Sequence, residues 1–454
     1  MTDTPTNKGS EVQIDAEMNT LTNEQTTVRC ASCSCTLQEN TAHTTCPECD
    51  GLLVVTQALP SLRGHALKAL FDSRLNAEAM RGPAALRSGV WRFRELLISD
   101  AIGVGQTAAV SYPEGNTPLI ERESVTRFVG VARLQLKHEG LNPTGSFKDR
   151  GMTVAVTQAR RVGATSVACA STGNTSASLA AYAAHAGVPA LVLIPADAVA
   201  LGKLAQTLAY GARTILVKGD FDDCLRLLRE AAERLGVYVA NSINPFRIEG
   251  QKTIVFELLQ QLSWDTPDWI AVPAGNLGNT AAFGKALTEA HALGLIARVP
   301  RIAAIQASGA APFAKGYAEG FIRRHRVQAE TAATAIRIGN PASWDRAVEA
   351  IRSTNGVVVA VSDDEIMEAK RVVDTSGVGC EPASAASVAG GRSLVKRGVI
   401  QPGEHVVAVL TGHLLKDPTV LHGKDGGATS LDDLVKIDAN LGALERVLSD
   451  AAAP

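Results

Sequence analysis

Three polar loops in this sequence carry side chains that can do chemistry. The first is NPTGSFKDRG at residues 142–151, where Pro143 and Gly145 shape a turn and Lys148 begins a helix. A lysine amine can condense with an aldehyde to a Schiff base and, once displaced, carry a proton. Composition alone, with Ser146 and Asp149 as neighbours, would leave that amine solvated. The second loop, STGNT at 171–175, follows the apolar run SVACA and opens a small-residue helix. Its hydroxyls and amides can receive a carboxylate or phosphate; standing alone, it reads equally as an ordinary helix cap. The third, AGNLGNT at 274–280, can turn successive N–H groups onto phosphate oxygens. It matches neither a nucleotide P-loop nor the GxGxxG dinucleotide fingerprint. One glycine-rich turn is weak evidence. Three polar loops at strand ends of one α/β framework are stronger, because ligands collect outside the carboxyl ends of parallel strands.

Five of the eight cysteines fall in one short segment, at Cys30, Cys33, Cys35, Cys46 and Cys49. The pairs Cys30/Cys33 and Cys46/Cys49 are each Cys-x-x-Cys and stand twelve residues apart, a spacing suited to a tetrahedral four-thiolate zinc site. Cys35 and His43 lie in the interval, so spacing does not fix the fourth ligand. Unmetallated thiols come next, and a disulfide last in a reducing setting. CPEC alone could exchange redox equivalents, but a second pair nearby makes a structural clip simpler. Cys169, Cys224 and Cys380 are isolated and read as buried free thiols.

The elements that must hold these loops follow from length and pattern. A chain of 454 residues, 46% apolar, can bury two or more domains, and 40 glycines with only 4% aromatics suit a layered α/β enzyme. Lys plus Arg (44) nearly balances Asp plus Glu (46), which gives no field for nucleic acid. No apolar stretch is long enough to span a membrane, and the polar start is unlike a signal peptide, so a soluble cytoplasmic protein is expected. Residues 1–26 read as a flexible tail, 27–58 as a zinc-ribbon-like segment, and 59–110 as a helical connection. Strands are expected at 166–170, 190–195, 214–219, 237–241, 269–275, 301–307 and 406–410, with helices near 175–185, 199–209, 221–234 and after Gly278. This alternation predicts two three-layer α/β domains around mostly parallel sheets, 111–240 and 241–445, between which elements can be exchanged.

Read together, EGNTPL (114–119), NPTGSFKDRG (142–151), STGNTSAS (171–178), NSINPFRIEG (241–250), AGNLGN (274–279), EPASAA (381–386) and TGHLLKDP (411–418) carry a likeness. They resemble, in order, the threonine synthase family within the tryptophan-synthase-like, fold-type-II pyridoxal-phosphate enzymes. That resemblance implies that Lys148 holds pyridoxal 5'-phosphate, that Asn174 bonds its phenolic oxygen, and that Gly275, Asn276, Leu277, Gly278 and Asn279 cradle its phosphate. Thr411 would face the ring nitrogen, where a neutral hydroxyl cannot compel protonation as an aspartate could. It further implies O-phospho-L-homoserine as substrate, with Ser171 and Thr175 near an anionic end and Asn241, Ser242 and Arg247 opposite. Arg247 can give phosphate two charge-assisted bonds; without the motif it would read as a surface ion pair. Leu414 departs from the glycine common after the family's histidine, with no functional group lost, and His413 stays outside the catalytic set. A serine/threonine dehydratase or cysteate synthase on the same scaffold is the neighbouring alternative; a zinc-containing binding protein on an inactive scaffold is the distant one. The likeness suggests a homodimer and leaves a monomer open. Control by S-adenosylmethionine, known in plant relatives, does not transfer to this cysteine-bearing amino terminus.

Overall fold

A strand covered on both faces must be apolar at nearly every position, and such runs build most strands of the two sheets here. The computed structural model describes residues 26–76, 81–98, 102–103, 106–107, 109–196, 201–417 and 441. The expected tail falls outside these residues except at Thr26, as do the start of the helix near 199 and most of the expected domain's end beyond 417.

The larger sheet has six strands in the order Val357–Val361, Arg301–Ala307, Trp269–Pro273, His405–Leu410, Arg133–His138 and Leu119–Ile120. All neighbours pair in parallel except Leu119–Ile120, which runs antiparallel to Arg133–His138. Alternate side chains go to opposite faces. Ile270, Val272, Ile302, Ala304 and Val407 join the core beneath helices Pro245–Gln261, Gly278–Ala292 and Trp344–Ser353. Trp269, Ala271, Ala303, Ile305 and Val406 face helices Asp363–Thr375 and Pro382–Lys396. The smaller sheet, Arg213–Val217, Ala190–Pro195, Ser166–Ala170 and Val237–Val239, is wholly parallel. Val167, Cys169 and Val192 pack toward helices Lys148–Arg161 and Asn174–Ala186, while Ala168, Leu193 and Val239 pack toward Phe221–Leu235. Each sheet is thus the middle of three layers. Three of these strands, Leu119–Ile120, Arg133–His138 and Val357–Val361, go beyond those expected, and the others lie within two residues of their expected ends.

Helices Lys148–Arg161 and Pro245–Gln261 cross at glycines. A Cβ on Gly250 would stand 1.8 Å from the Arg150 carbonyl oxygen, and one on Gly151 would stand 2.9 Å from that of Arg247. This close approach brings the two helix starts, and with them Lys148 and Arg247, to one place. Strands Thr27–Cys30, Thr36–Gln38 and Leu53–Thr56 form a small antiparallel sheet. It packs on the same two helices: Val28, Cys46, Val55 and Trp91 share a core with Val154 and Phe246. Gln158 Nε2 donates to the Glu39 carbonyl at 2.8 Å, and Lys285 Nζ to that of Val55 at 2.7 Å.

Candidate active site

Five parallel strands deliver their carboxyl ends to one cleft, and every expected catalytic loop follows one of them. Strands Arg133–His138 and His405–Leu410 are neighbours, and the loops after them are stitched together. Phe147 N–H donates to the Thr411 carbonyl at 2.9 Å, His413 N–H donates to that of Gly145 at 2.9 Å, and Ser146 bridges Gly412. Gly145, at φ +86°, makes the turn that places Lys148 first in its helix. Asp149 anchors the turn from within: it accepts from Thr144 N–H at 2.7 Å and from the Thr144 and Ser178 hydroxyls at 2.6 Å. Burial pushes its carboxyl up to about 6.

Lys148 is half-buried, with Nζ 4.3 Å from the centre of the Phe147 ring. Burial, reinforced by the nearby Arg247 charge and opposed by Glu381, lowers its pKa to about 7. A neutral amine at ordinary pH is what carbonyl addition and proton removal both need. The sign gives a test: below pH 7 the ammonium cannot add to a carbonyl. Borohydride-trapped condensation of Lys148 with an added aldehyde should slow about tenfold per unit below pH 7 and level off above it. A rate still climbing to pH 10 would return this lysine to ordinary behaviour.

Arg247 is 1% exposed. One guanidinium nitrogen, Nη1, donates to the Ala240 carbonyl at 3.1 Å, while Nε and Nη2 are buried without a partner. Burial lowers its pKa to about 10, and the electrostatic influence of Cys169 places it near the end of strand Ser166–Ala170, next to the 171–175 loop. Ser171, Asn174 and Thr175 are half-buried on that loop. Asn174 Nδ2 donates to Glu381 at 3.0 Å. Asn241 sits differently from its neighbours: both ends of its amide are used on Ala170, each at 3.0 Å, so it holds the loop's approach strand in place. Ser242 accepts a short bond from Asn276 Nδ2.

The third loop fits an anion. Leu277 takes a left-handed φ of +64° to open helix Gly278–Ala292, and no side chain caps it. The first amides of a helix lack intrahelical acceptors and carry its positive dipole end. Thr280 Oγ1 and Asn279 Oδ1, in the first turn, are buried without partners. A Cβ on Gly275 would stand 2.9 Å from Ile336 Cα, so the close approach there requires glycine. Asn276 Oδ1 accepts from Ala342 N–H at 2.7 Å, which ties the loop to the segment before helix Trp344–Ser353. Thr411 closes the cleft, its hydroxyl 3.0 Å from Ser384 Oγ.

Two features lie beyond the residues expected from sequence. Glu381, from the EPASAA motif, bonds Asn174 and also accepts from Thr411 Oγ1 at 3.4 Å. Below the site, Arg150 makes bonds to Glu139 at 2.7 and 2.8 Å, and Glu257 takes up Arg150, Lys137 and Arg92. These five charges are all buried and knit the EGNTPL loop to both crossing helices, since Glu257 also accepts from Asn116 and Thr117 N–H.

A family model for pyridoxal-phosphate dependent enzymes matches residues 110–412, a span that runs from just before the EGNTPL loop to Gly412 and sets the class of the chain. Threonine synthase of Methanocaldococcus jannaschii is 42% identical, with 93% of this chain and 99% of that protein covered. Threonine synthase of Mycobacterium tuberculosis is 50% identical over 70% of this chain and 87% of its own length. The crystal structure of threonine synthase from Escherichia coli shares the fold, with a TM-score of 0.65, 21% identity, and 94% of this chain and 100% of that one covered. The chain belongs to the pyridoxal-phosphate-dependent enzymes and, within them, to the threonine synthase family.

Proposed function

We propose that this enzyme converts O-phospho-L-homoserine and water to L-threonine and phosphate. The observation that carries the substrate assignment is Arg247, a buried guanidinium beside Lys148 with two donors left over, which matches a phosphate ester brought next to the reactive amine. Pyridoxal phosphate, when bound, supplies the sink for electrons left as an amino acid loses its α-proton. Lys148 would hold its aldehyde, the backbone of 275–279 with Thr280 its phosphate, Asn174 its phenolic oxygen and Thr411 its ring nitrogen. The orphaned polar atoms at Asn279 and Thr280 support that placement.

Lys148 Nζ, displaced by the substrate amine, takes the α-proton, and its lowered proton affinity leaves it free to do so near neutral pH. Arg247 Nε and Nη2 orient the γ-phosphate and hold it as it leaves. Ser171, Thr175 and Ser242 line the cleft around it, and Asn241 keeps the first two in register through Ala170. For the γ-phosphate to leave, the β-carbon must also give up a proton; water then adds at that carbon, and protons returned to the γ- and α-carbons complete threonine. Purified protein given O-phosphohomoserine should yield threonine and phosphate one to one. Phosphate with 2-oxobutanoate, or rapid serine deamination without turnover of the phosphorylated compound, would move the assignment to a dehydratase.

The cysteine segment belongs to the same proposal as a structural zinc clip. Sγ atoms of Cys30, Cys33, Cys46 and Cys49 lie within 4.8 Å of one another, with closest pairs at 3.5 and 3.6 Å. Zinc–sulfur bonds of 2.3 Å in a tetrahedron would set sulfurs about 3.8 Å apart. Cys35 stands outside the cluster, which supports the two Cys-x-x-Cys pairs as the ligand set, and all eight cysteines are free, as a reducing cytoplasm would keep them. Metal analysis of reduced protein should give about one zinc per chain. Cys46→Ser should abolish that stoichiometry and lower the melting temperature; an unchanged melting curve with no metal in the parent would reject the clip. Among the described residues no helix is long and apolar enough to cross a membrane.

A further inference from the structure

An ionised carboxylate only accepts hydrogen bonds, whereas a side-chain amide has a donor end and an acceptor end. Glu381 and Asn174, 207 residues apart, meet in that combination: Nδ2 lies 3.0 Å from Glu381 Oε2. Glu381 is 4% exposed and is itself fixed, since its backbone N–H donates to the Gly412 carbonyl at 3.1 Å and it precedes helix Pro382–Lys396 as its cap residue. Gly412 leaves it room, for a Cβ there would stand 2.4 Å from Glu381 Cδ. The other carboxylate oxygen faces the Thr411 hydroxyl, which Ser384 Oγ also contacts. The carboxylate therefore touches both side chains that the proposed cofactor site assigns to the ring's two polar positions.

Turning the Asn174 amide over would set its carbonyl against the Glu381 carboxylate, a contact with no hydrogen between two acceptors. We propose that Glu381 is a positioning residue that locks the Asn174 amide with its N–H end in use, so that the cleft always offers the cofactor's phenolic oxygen a donor. The role rests on the cofactor placement proposed above. It acts through Asn174 and leaves proton transfer to Lys148. Its charge also favours the protonated form of Lys148, which places the carboxylate within electrostatic reach of the amine.

The test uses holoenzyme with Glu381→Gln, Asn174→Ala and both changes together, read by the cofactor's visible absorbance band and its dissociation constant. Glutamine keeps the shape but can accept or donate, so Asn174 becomes free to turn. Each single variant should bind the cofactor roughly tenfold more weakly and shift the band in the same direction. The double variant should be no worse than Asn174→Ala alone, because the two act as a unit. Additive losses, or an unchanged band and dissociation constant in Glu381→Gln, overturn the proposal. Should Glu381→Gln fail to fold, 15N-labelled asparagine side chains in the parent holoenzyme answer the same question. The Asn174 Nδ2 signal, assigned by its loss in Asn174→Ala, should exchange its hydrogens slowly, and fast exchange overturns the role. A parent protein with no visible band removable by borohydride would instead reject the cofactor site itself.

Discussion

Replacing Lys148 by alanine is expected to remove borohydride-trappable cofactor and to cut turnover by at least about 10⁴-fold. Two proposed roles end with one amine: the covalent hold on the aldehyde and the base that moves the α-proton. The phosphate cradle proposed at 275–280 draws on backbone and on Thr280, none of which depends on Lys148, so the variant should still bind the cofactor, reversibly. Lys148→Arg should fail equally, because a guanidinium stays charged and cannot add to a carbonyl. Mass spectrometry after borohydride reduction, paired with steady-state assays, separates loss of attachment from loss of the whole site. Steady turnover in Lys148→Ala would end the assignment of that lysine.

Those strands whose every position is covered could be read from the chain itself. SVACA, ALVLIP and RIAAIQA are strands over their full lengths, each with residues in the cores of both faces or of adjoining layers. The strand Arg133–His138 has no such run, yet it lies inside the larger sheet. Its polar positions are buried by partners far away in sequence: Lys137 meets Glu257, and Gln135 Oε1 accepts from His405 Nε2 at 2.8 Å. Local pattern cannot distinguish a charge that will be paired in the interior from one that will face water. Helix Pro245–Gln261 repeats the problem with Glu249, Lys252 and Glu257, all buried and all paired, on a helix whose apolar residues also go all round.

The loops of the site were legible for a related reason. A glycine that must approach a neighbour, a lysine that begins a helix and an amide that ends a strand are local features, and they occur together in motifs. Arg247 was marked by its motif and by nothing in its own surroundings; its two unpaired nitrogens are a property of the folded chain. The Glu381–Asn174 pair and the charge network around Arg150 join segments from different sheets. A single sequence holds their members but not their adjacency. The same holds for Asn241, whose residue type suits a substrate contact and whose amide is taken up by Ala170.

Arg247→Met should separate the cost of that arginine from its use. In the unliganded protein the guanidinium is buried with one bond to Ala240 and two nitrogens unsatisfied, an arrangement that disfavours the folded state. A methionine of similar length removes that burden, so the unliganded variant is expected to be more stable by about 1–3 kcal/mol, read as a higher denaturant midpoint. Catalysis should move the other way. Two charge-assisted bonds to a phosphate ester contribute about 3–6 kcal/mol together, so kcat/KM for O-phosphohomoserine should fall by roughly 10²–10⁴-fold. With the cofactor filling the cradle proposed at 275–280, inorganic phosphate should stabilise the parent holoenzyme in proportion to its binding and leave the variant holoenzyme unmoved, since the remaining site pairs the anion through Arg247. If Arg247→Met lost stability while keeping its KM, the arginine would be a structural cation and the phosphate assignment would lose its support.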